Sequence, residues 1–227
     1  MKKIDNESSV LKLQNPLILS SIYKLSCCKK SKHIYEILNT NDTQPSCKVK
    51  WNNLFELGEN EWKTIHKLPF KITKNSKFQW FQYRLINRIL ATNTFLYKIK
   101  KTNTNTCTFC RLEEETLEHV FWECANIQSF LDTFETYVQE NTNLQLPITK
   151  RNFLLGDLDL NKIVHNTIFL WLKYYIYTMR CAEKTLNIEV AISILKKNYE
   201  ILKHIAYKNG EKTKFDTVWN GWNLLFN

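Results

Sequence analysis

Apolar residues recur at helical spacing along much of this chain. The best-defined run is capped by Asn75 or Ser76 and extends to about Ala91: Phe78, Phe81, Leu85 and Ile89 share one stripe, while Lys77, Arg84 and Arg88 return on another face. One side packs and the other is basic, as on any solvated amphipathic helix. Upstream, residues 59–67 predict a helix that stops before Pro69. Downstream, residues 160–184, 188–208 and 212–226 predict three more helices, the middle one striped with Ile192, Leu195, Tyr199, Leu202 and Ala206. Trp171, Tyr174, Tyr175, Trp219 and Trp222 read as core rather than as a base-stacking surface. Residues 141–159, with Pro147 and Gly156, read as a connection with a short extended piece. Before residue 50 the chain is polar, with short helices over 18–25 and 31–38 and a linker over 39–46.

Only four Gly and four Pro occur in 227 residues, which favours long helices over many tight turns. The expected fold is all-α. Its organisation is a variable amino-terminal segment (1–50), a basic helical region (51–140) and a carboxy-terminal helical bundle (141–227). The most apolar stretch, 167–179, is broken by Lys173 and falls short of a membrane span, so it reads as a core helix and no membrane partner is expected.

Charge sharpens the picture. Between Trp62 and Leu112 there are eleven Lys and Arg and no Asp or Glu, against a net charge of +10 for the whole chain, so the remainder is close to neutral. A local excess of this kind is the footprint of a surface that meets phosphates. Its candidate contacts are Lys71, Lys74, Lys77, Arg84, Arg88, Lys98, Lys100, Lys101 and Arg111. Lysine outnumbers arginine 27 to 5, and there are 24 Asn, a bias that an AT-rich coding sequence also explains. Lysines act as point charges on phosphates, so sequence-independent binding is expected.

The same stretch ends in Cys107, Cys110, His119 and Cys124, spaced C-x2-C-x8-H-x4-C. Three thiols and an imidazole complete a tetrahedral zinc shell, and four protein ligands leave no open position for water, so one structural Zn²⁺ is expected. No small-molecule substrate is expected. The first residues, MKKIDNESSV, lack the apolar run of a secretory signal, which favours a reducing compartment, nucleus or cytoplasm, where a C-x2-C pair holds metal more often than it forms a bridge. Residues five apart on an ideal helix differ by about 140° in direction, so His119 and Cys124 need a distorted turn or a break between them. Phe109, between the paired cysteines, is placed either to stack on a base or to cover the metal. Residues 113–118 are helix-compatible, and Glu113, Glu114 and Glu115 are expected to face away from nucleic acid or to pair with the basic helix. Cys27, Cys28, His33 and Cys47 fit no common zinc spacing.

The strings WKTIHKLPFKITKNSKFQWFQYRLINRILATNTFLYKI and CTFCRLEEETLEHVFWEC resemble the segment that follows the polymerase domain in LINE-type, non-LTR retrotransposon reverse transcriptases, including its Cys-Cys-His-Cys zinc knuckle. The resemblance runs from about His33 to Phe130. It implies that Cys107, Cys110, His119 and Cys124 are metal ligands, and that the module helps a reverse transcriptase hold template RNA or target DNA. Polymerase chemistry does not carry over. It needs paired aspartates holding Mg²⁺, and the chain has no Asp-Asp pair. Past Cys124 there is also no Asp/Glu-x-Lys triplet of the nuclease kind. The chain therefore reads as a non-enzymatic nucleic-acid-binding module. The alternatives are a zinc-stabilised adaptor that docks a polymerase core, or a decayed remnant without selected function.

Overall fold

Trp51 shows how the helices are tied together: its indole Nε1 donates to the carbonyl of Ile86 at 2.7 Å, satisfying a backbone group left over at a helix end. The computed structural model describes residues 44–226. The expected helices at 18–25 and 31–38, most of the 39–46 linker, and Cys27, Cys28 and His33 lie outside those residues. The helices in chain order are α1 (Ser46–Phe55), α2 (Glu59–Ile72), α3 (Ser76–Ile86), α4 (Asn93–Lys98), a π-turn (His119–Glu123), α5 (Ala125–Thr142), α6 (Lys150–Leu155), α7 (Ile163–Cys181), α8 (Ile188–Lys208) and α9 (Lys212–Val218). Short 3-10 turns at Leu160–Lys162 and Trp222–Phe226 precede α7 and follow α9. Among the described residues no strand forms; Thr106 and Glu114 make one isolated antiparallel bridge.

The organising element is α7, in which every residue from Val164 to Lys173 is buried. A helix buried on all sides must be surrounded, and α2, α3, α6 and α8 pack around it. One contiguous core runs from Trp51 through Phe81, Phe121, Phe134, Phe153, Phe169 and Leu195 to Phe226. Residues 47–227 accordingly form one compact unit.

Four local expectations differ from the structure. Helix α2 continues through Pro69 to Ile72. Proline removes one donor, but Leu68 and Pro69 are buried and Thr73 N–H donates to the Pro69 carbonyl at 3.2 Å, so packing outweighs the lost bond. Helix α3, capped as expected by Asn75 Oδ1 on the Lys77 N–H, ends at Ile86; Arg88 then takes a left-handed turn (φ 57°) that leaves Ile89 exposed and puts Ile86 in its place in the core. Residues 150–155 are helical because Thr149 and Asn152 cap each other's backbone. The last predicted helix breaks at Gly221, whose φ of 80° is open to glycine at little cost. Gly156 is constrained by closeness: a Cβ there would run into the Leu68 side chain of α2.

Lys173 and Gln82 form a buried polar cluster within this core. Lys173 Nζ on α7 donates to Gln82 Oε1 on α3 at 2.7 Å and to the Leu154 carbonyl on α6 at 3.2 Å, and Gln82 Nε2 donates to that same carbonyl at 2.9 Å. These bonds join three helices at one point. No carboxylate pairs with Lys173 among the described residues.

Candidate metal centre and basic surface

The chain reverses between Cys107 and Cys110 because Arg111 N–H donates to the Cys107 carbonyl at 2.9 Å, with Arg111 itself left-handed (φ 58°). A non-glycine residue in that conformation carries a local cost that surrounding structure must hold in place. The return strand of the loop is pinned by Cys107 N–H on the Glu113 carbonyl (2.7 Å) and Glu115 N–H on the Asn105 carbonyl (2.8 Å). These bonds keep residues 113–116 out of the helix expected there; helix begins at Leu117.

His119 and Cys124 are brought together as their spacing requires. A π-turn spans His119–Glu123, with Cys124 N–H donating to the His119 carbonyl at 3.0 Å, and Cys124 is itself extended (φ −64°, ψ 128°) before α5 begins. The i→i+5 bond adds one residue to the turn and rotates Cys124 back onto the face of His119. Of the expected alternatives, a distorted turn or a break, the distorted turn forms between the two ligands.

The four ligand atoms lie within 4.8 Å of one another. Cys107 Sγ is 3.9 Å from Cys124 Sγ, and Cys110 Sγ is 3.3 Å from His119 Nε2. A tetrahedral zinc shell has S–S and S–N edges of roughly 3.5–3.8 Å given its bond lengths, so the side chains fit the ion with little movement. Burial pushes the Cys107 thiol up to about 12, against the N–H groups of Cys110 and Phe109, and burial also raises Cys124. At Cys110 burial is outweighed by the N–H groups of Glu113 and Leu112 and by His119, which bring it down to about 6. A bound dication keeps such a thiol set ionised. Glu113 lies outside the shell, its Oε2 3.3 Å from His119 Nδ1, where a carboxylate fixes the ring so that Nε2 faces the metal. The chain thus carries one structural zinc site.

Glu115, one of three consecutive glutamates, is fully buried and forms the hub that fastens the knuckle to the helices. Its Oε1 accepts from Asn93 N–H (2.8 Å) and from Arg180 Nε and Nη2 (2.9 and 2.6 Å). Its Oε2 accepts from the backbone and hydroxyl of Thr108 (2.9 and 2.8 Å). Of the two outcomes expected for this acidic run, facing away from nucleic acid or pairing with the basic helix, Glu115 follows neither in detail: it turns inward and pairs with Arg180 on α7, 65 residues away. No local pattern marks such a partner. Removing one member of a buried ion pair leaves the other uncompensated, so Glu115→Ala is expected to cost about 3–5 kcal/mol, and Glu115→Leu combined with Arg180→Leu to recover part of it. Urea denaturation with zinc in excess measures both.

Five lysines and arginines form ion pairs with glutamates among the described residues. Lys48, Arg88, Lys150, Arg151 and Arg180 pair with Glu59, Glu118, Glu123, Glu61 and Glu115 respectively. Arg88, placed by the sequence among the phosphate contacts, is held inside the fold, its Nη2 2.8 Å from Glu118 Oε2 and its guanidinium 4.7 Å over Trp51. Lys71, Lys74, Lys77, Lys98, Lys100, Lys101 and Arg111 are exposed, Arg84 is half-buried, and none of the eight forms an ion pair among the described residues. Phe109 is half-buried and packed against the core, its carbonyl accepting from Asn126 Nδ2 at 2.9 Å.

Residues 29–130 match the family model described as zinc-binding in reverse transcriptase, a little under half of the chain. All four ligands lie inside the matched span, which agrees with the zinc-knuckle segment recognised in the sequence. A search of curated proteins finds no match to the chain. Among the described residues no helix is long and apolar enough to cross a membrane.

Proposed function

We propose that this chain, built around a zinc-binding segment of the reverse-transcriptase kind, is a non-enzymatic module that holds nucleic acid through its phosphates, as template RNA or target DNA for a retrotransposon polymerase of the LINE type. The observation that carries the reading is the division among the cations. Among the described residues Arg88 alone of the eleven cations in the acid-free stretch is ion-paired, while the other ten, the eight candidate contacts with Lys63 and Lys67, form no ion pair. Unpaired surface cations repel one another and raise the energy of the fold, a cost that binding to a polyanion offsets. The zinc site and the Glu115 hub hold the knuckle and α4, and hence Lys98, Lys100, Lys101 and Arg111, in fixed positions.

If six to ten phosphates are contacted, affinity for RNA or DNA falls by about three to five orders of magnitude between 50 and 200 mM salt. Replacing Lys71, Lys74 and Lys77 together by Glu is expected to flatten that slope as well as weaken binding. Fluorescence anisotropy across a salt series reads both, and binding indifferent to salt would count against the reading.

A second reading, an adaptor docking a polymerase core, is favoured by α8. Val190, Ile194, Ile201 and Ile205 fall within one narrow sector of that helix, and Val190, Ile201 and Ile205 are exposed. Capture of a polymerase fragment that survives charge reversal at Lys74, Lys77 and Arg84 separates the two.

A further inference from the structure

We infer that the solvent face of α3 is a base-stacking platform for single-stranded nucleic acid, formed by Trp80 and Tyr83 and flanked by Lys77 and Arg84. The inference rests on the nucleic-acid reading above and narrows it to unpaired strands. Trp80 and Tyr83 are three residues apart, so they share a helix face, and their rings stack at 5.3 Å between centroids with planes 12° apart. Trp80 is 58% exposed and Tyr83 41%. Neither ring belongs to the buried core, in which Phe78, Phe81, Leu85 and Ile86 anchor α3. An isolated exposed aromatic is ordinary. Two stacked ones, with flat faces in water and cations beside them, make a surface of a particular chemistry.

The flank is built by α7. Lys77 Nζ lies 4.8 Å from the centroid of the Tyr174 ring, and the Arg84 guanidinium 5.6 Å from that of Tyr177. Tyr174 packs edge-on against Phe78 and Phe81 at 5.1 and 5.3 Å, and Tyr177 lies 5.3 Å from Phe81, so the rings beneath both cations are anchored in the core. Lys77, Trp80 and Arg84 follow one another at i, i+3 and i+7 and therefore line up along one side of the helix. The helices packed on this side, α6 and α7, contain no Asp or Glu, and the two glutamates at the start of α2 are taken up by Lys48 and Arg151.

Rings with free faces and unpaired cations fit one partner, a strand whose bases are unstacked and whose phosphates are close by. In a duplex the base faces are already covered by their neighbours. A protein partner would need an acidic, aromatic-binding surface, and nothing on α3 selects one over a polyanion.

The test uses the zinc-loaded full chain and three probes of equal length: single-stranded RNA, single-stranded DNA and duplex DNA. The variant Trp80→Ala/Tyr83→Ala is expected to bind both single strands about 10- to 100-fold more weakly, from the usual worth of base–aromatic stacking. Its duplex affinity and the salt slope are expected to stay as in the parent chain, while Trp80→Phe retains most of the single-strand affinity. Both residues are solvent-facing, and an unchanged thermal melt checks that the variant folds. Parent-level single-strand binding by the double variant would overturn the platform and leave the nucleic-acid reading standing. An equal loss on single strands and duplex would overturn it too, because stacking cannot weaken a duplex contact in that way. A parent chain that binds none of the three probes would remove the nucleic-acid reading and the platform with it.

Discussion

Chelation of zinc, or replacement of Cys124 by Ser, is expected to abolish cooperative folding of this protein. Structural zinc contributes roughly 10–16 kcal/mol in isolated zinc-finger peptides, whereas a whole domain is stable by only about 5–15 kcal/mol. The argument is stronger here than for a peripheral finger, because Cys107 and Cys124 belong to the same core as Phe81, Phe121 and Ile127. Without the ion, the Cys107 thiol, raised by burial, has to sit protonated among other sulfurs in a space shaped for an ion, and the π-turn loses its reason to stay distorted. Native mass spectrometry should find one zinc per chain, and far-UV circular dichroism after chelation should show loss of helix and of a sharp melt. A chain that keeps a cooperative transition with no metal bound would remove the central structural claim.

The second large effect belongs to Lys173. Burial, with no carboxylate nearby among the described residues, lowers its amine from 10.5 to about 7 in the folded state. The unfolded chain therefore binds more protons than the folded one between those two values, and stability rises with pH across that window. Below pH about 7 the full penalty of a buried charge is present, and above about 10.5 it is gone. A difference of this size corresponds to about 5 kcal/mol. The neutral amine is well served, since its two hydrogens match its two acceptors, Gln82 Oε1 and the Leu154 carbonyl. Lys173→Met should stabilise the protein most at low pH, with the advantage over the parent shrinking as pH rises from 7 to 10. Denaturant midpoints of the two chains across that range make the comparison. Parallel curves would mean that the amine does not titrate between them.

Periodicity was a reliable guide where a helix has one wet and one dry side. Helix α8 runs over Ile188–Lys208 as its stripe predicts, and α3 begins at the Asn75 cap. It failed where long-range packing decided the outcome. Pro69 stays inside α2 because it and Leu68 are buried, and α3 stops short because Arg88 turns back to Glu118 and Trp51. The residue that fastens the knuckle, Glu115, was hidden in a run of like residues. Its neighbours Glu113 and Glu114 are exposed, and nothing in EEE says which of the three points inward.

The sequence by itself determined the metal site, because ligand identity and spacing are local chemistry: four soft or borderline donors within a short segment define a tetrahedral shell, and five-residue spacing demanded the turn that forms. It also determined where positive charge is concentrated. Tertiary structure decided which charges are free to act. Ion pairing depends on residues far apart in the chain, and burial depends on all neighbours at once, so only the folded protein separates Arg88, held by Glu118, from Lys77, which lies over the Tyr174 ring with no ion pair among the described residues.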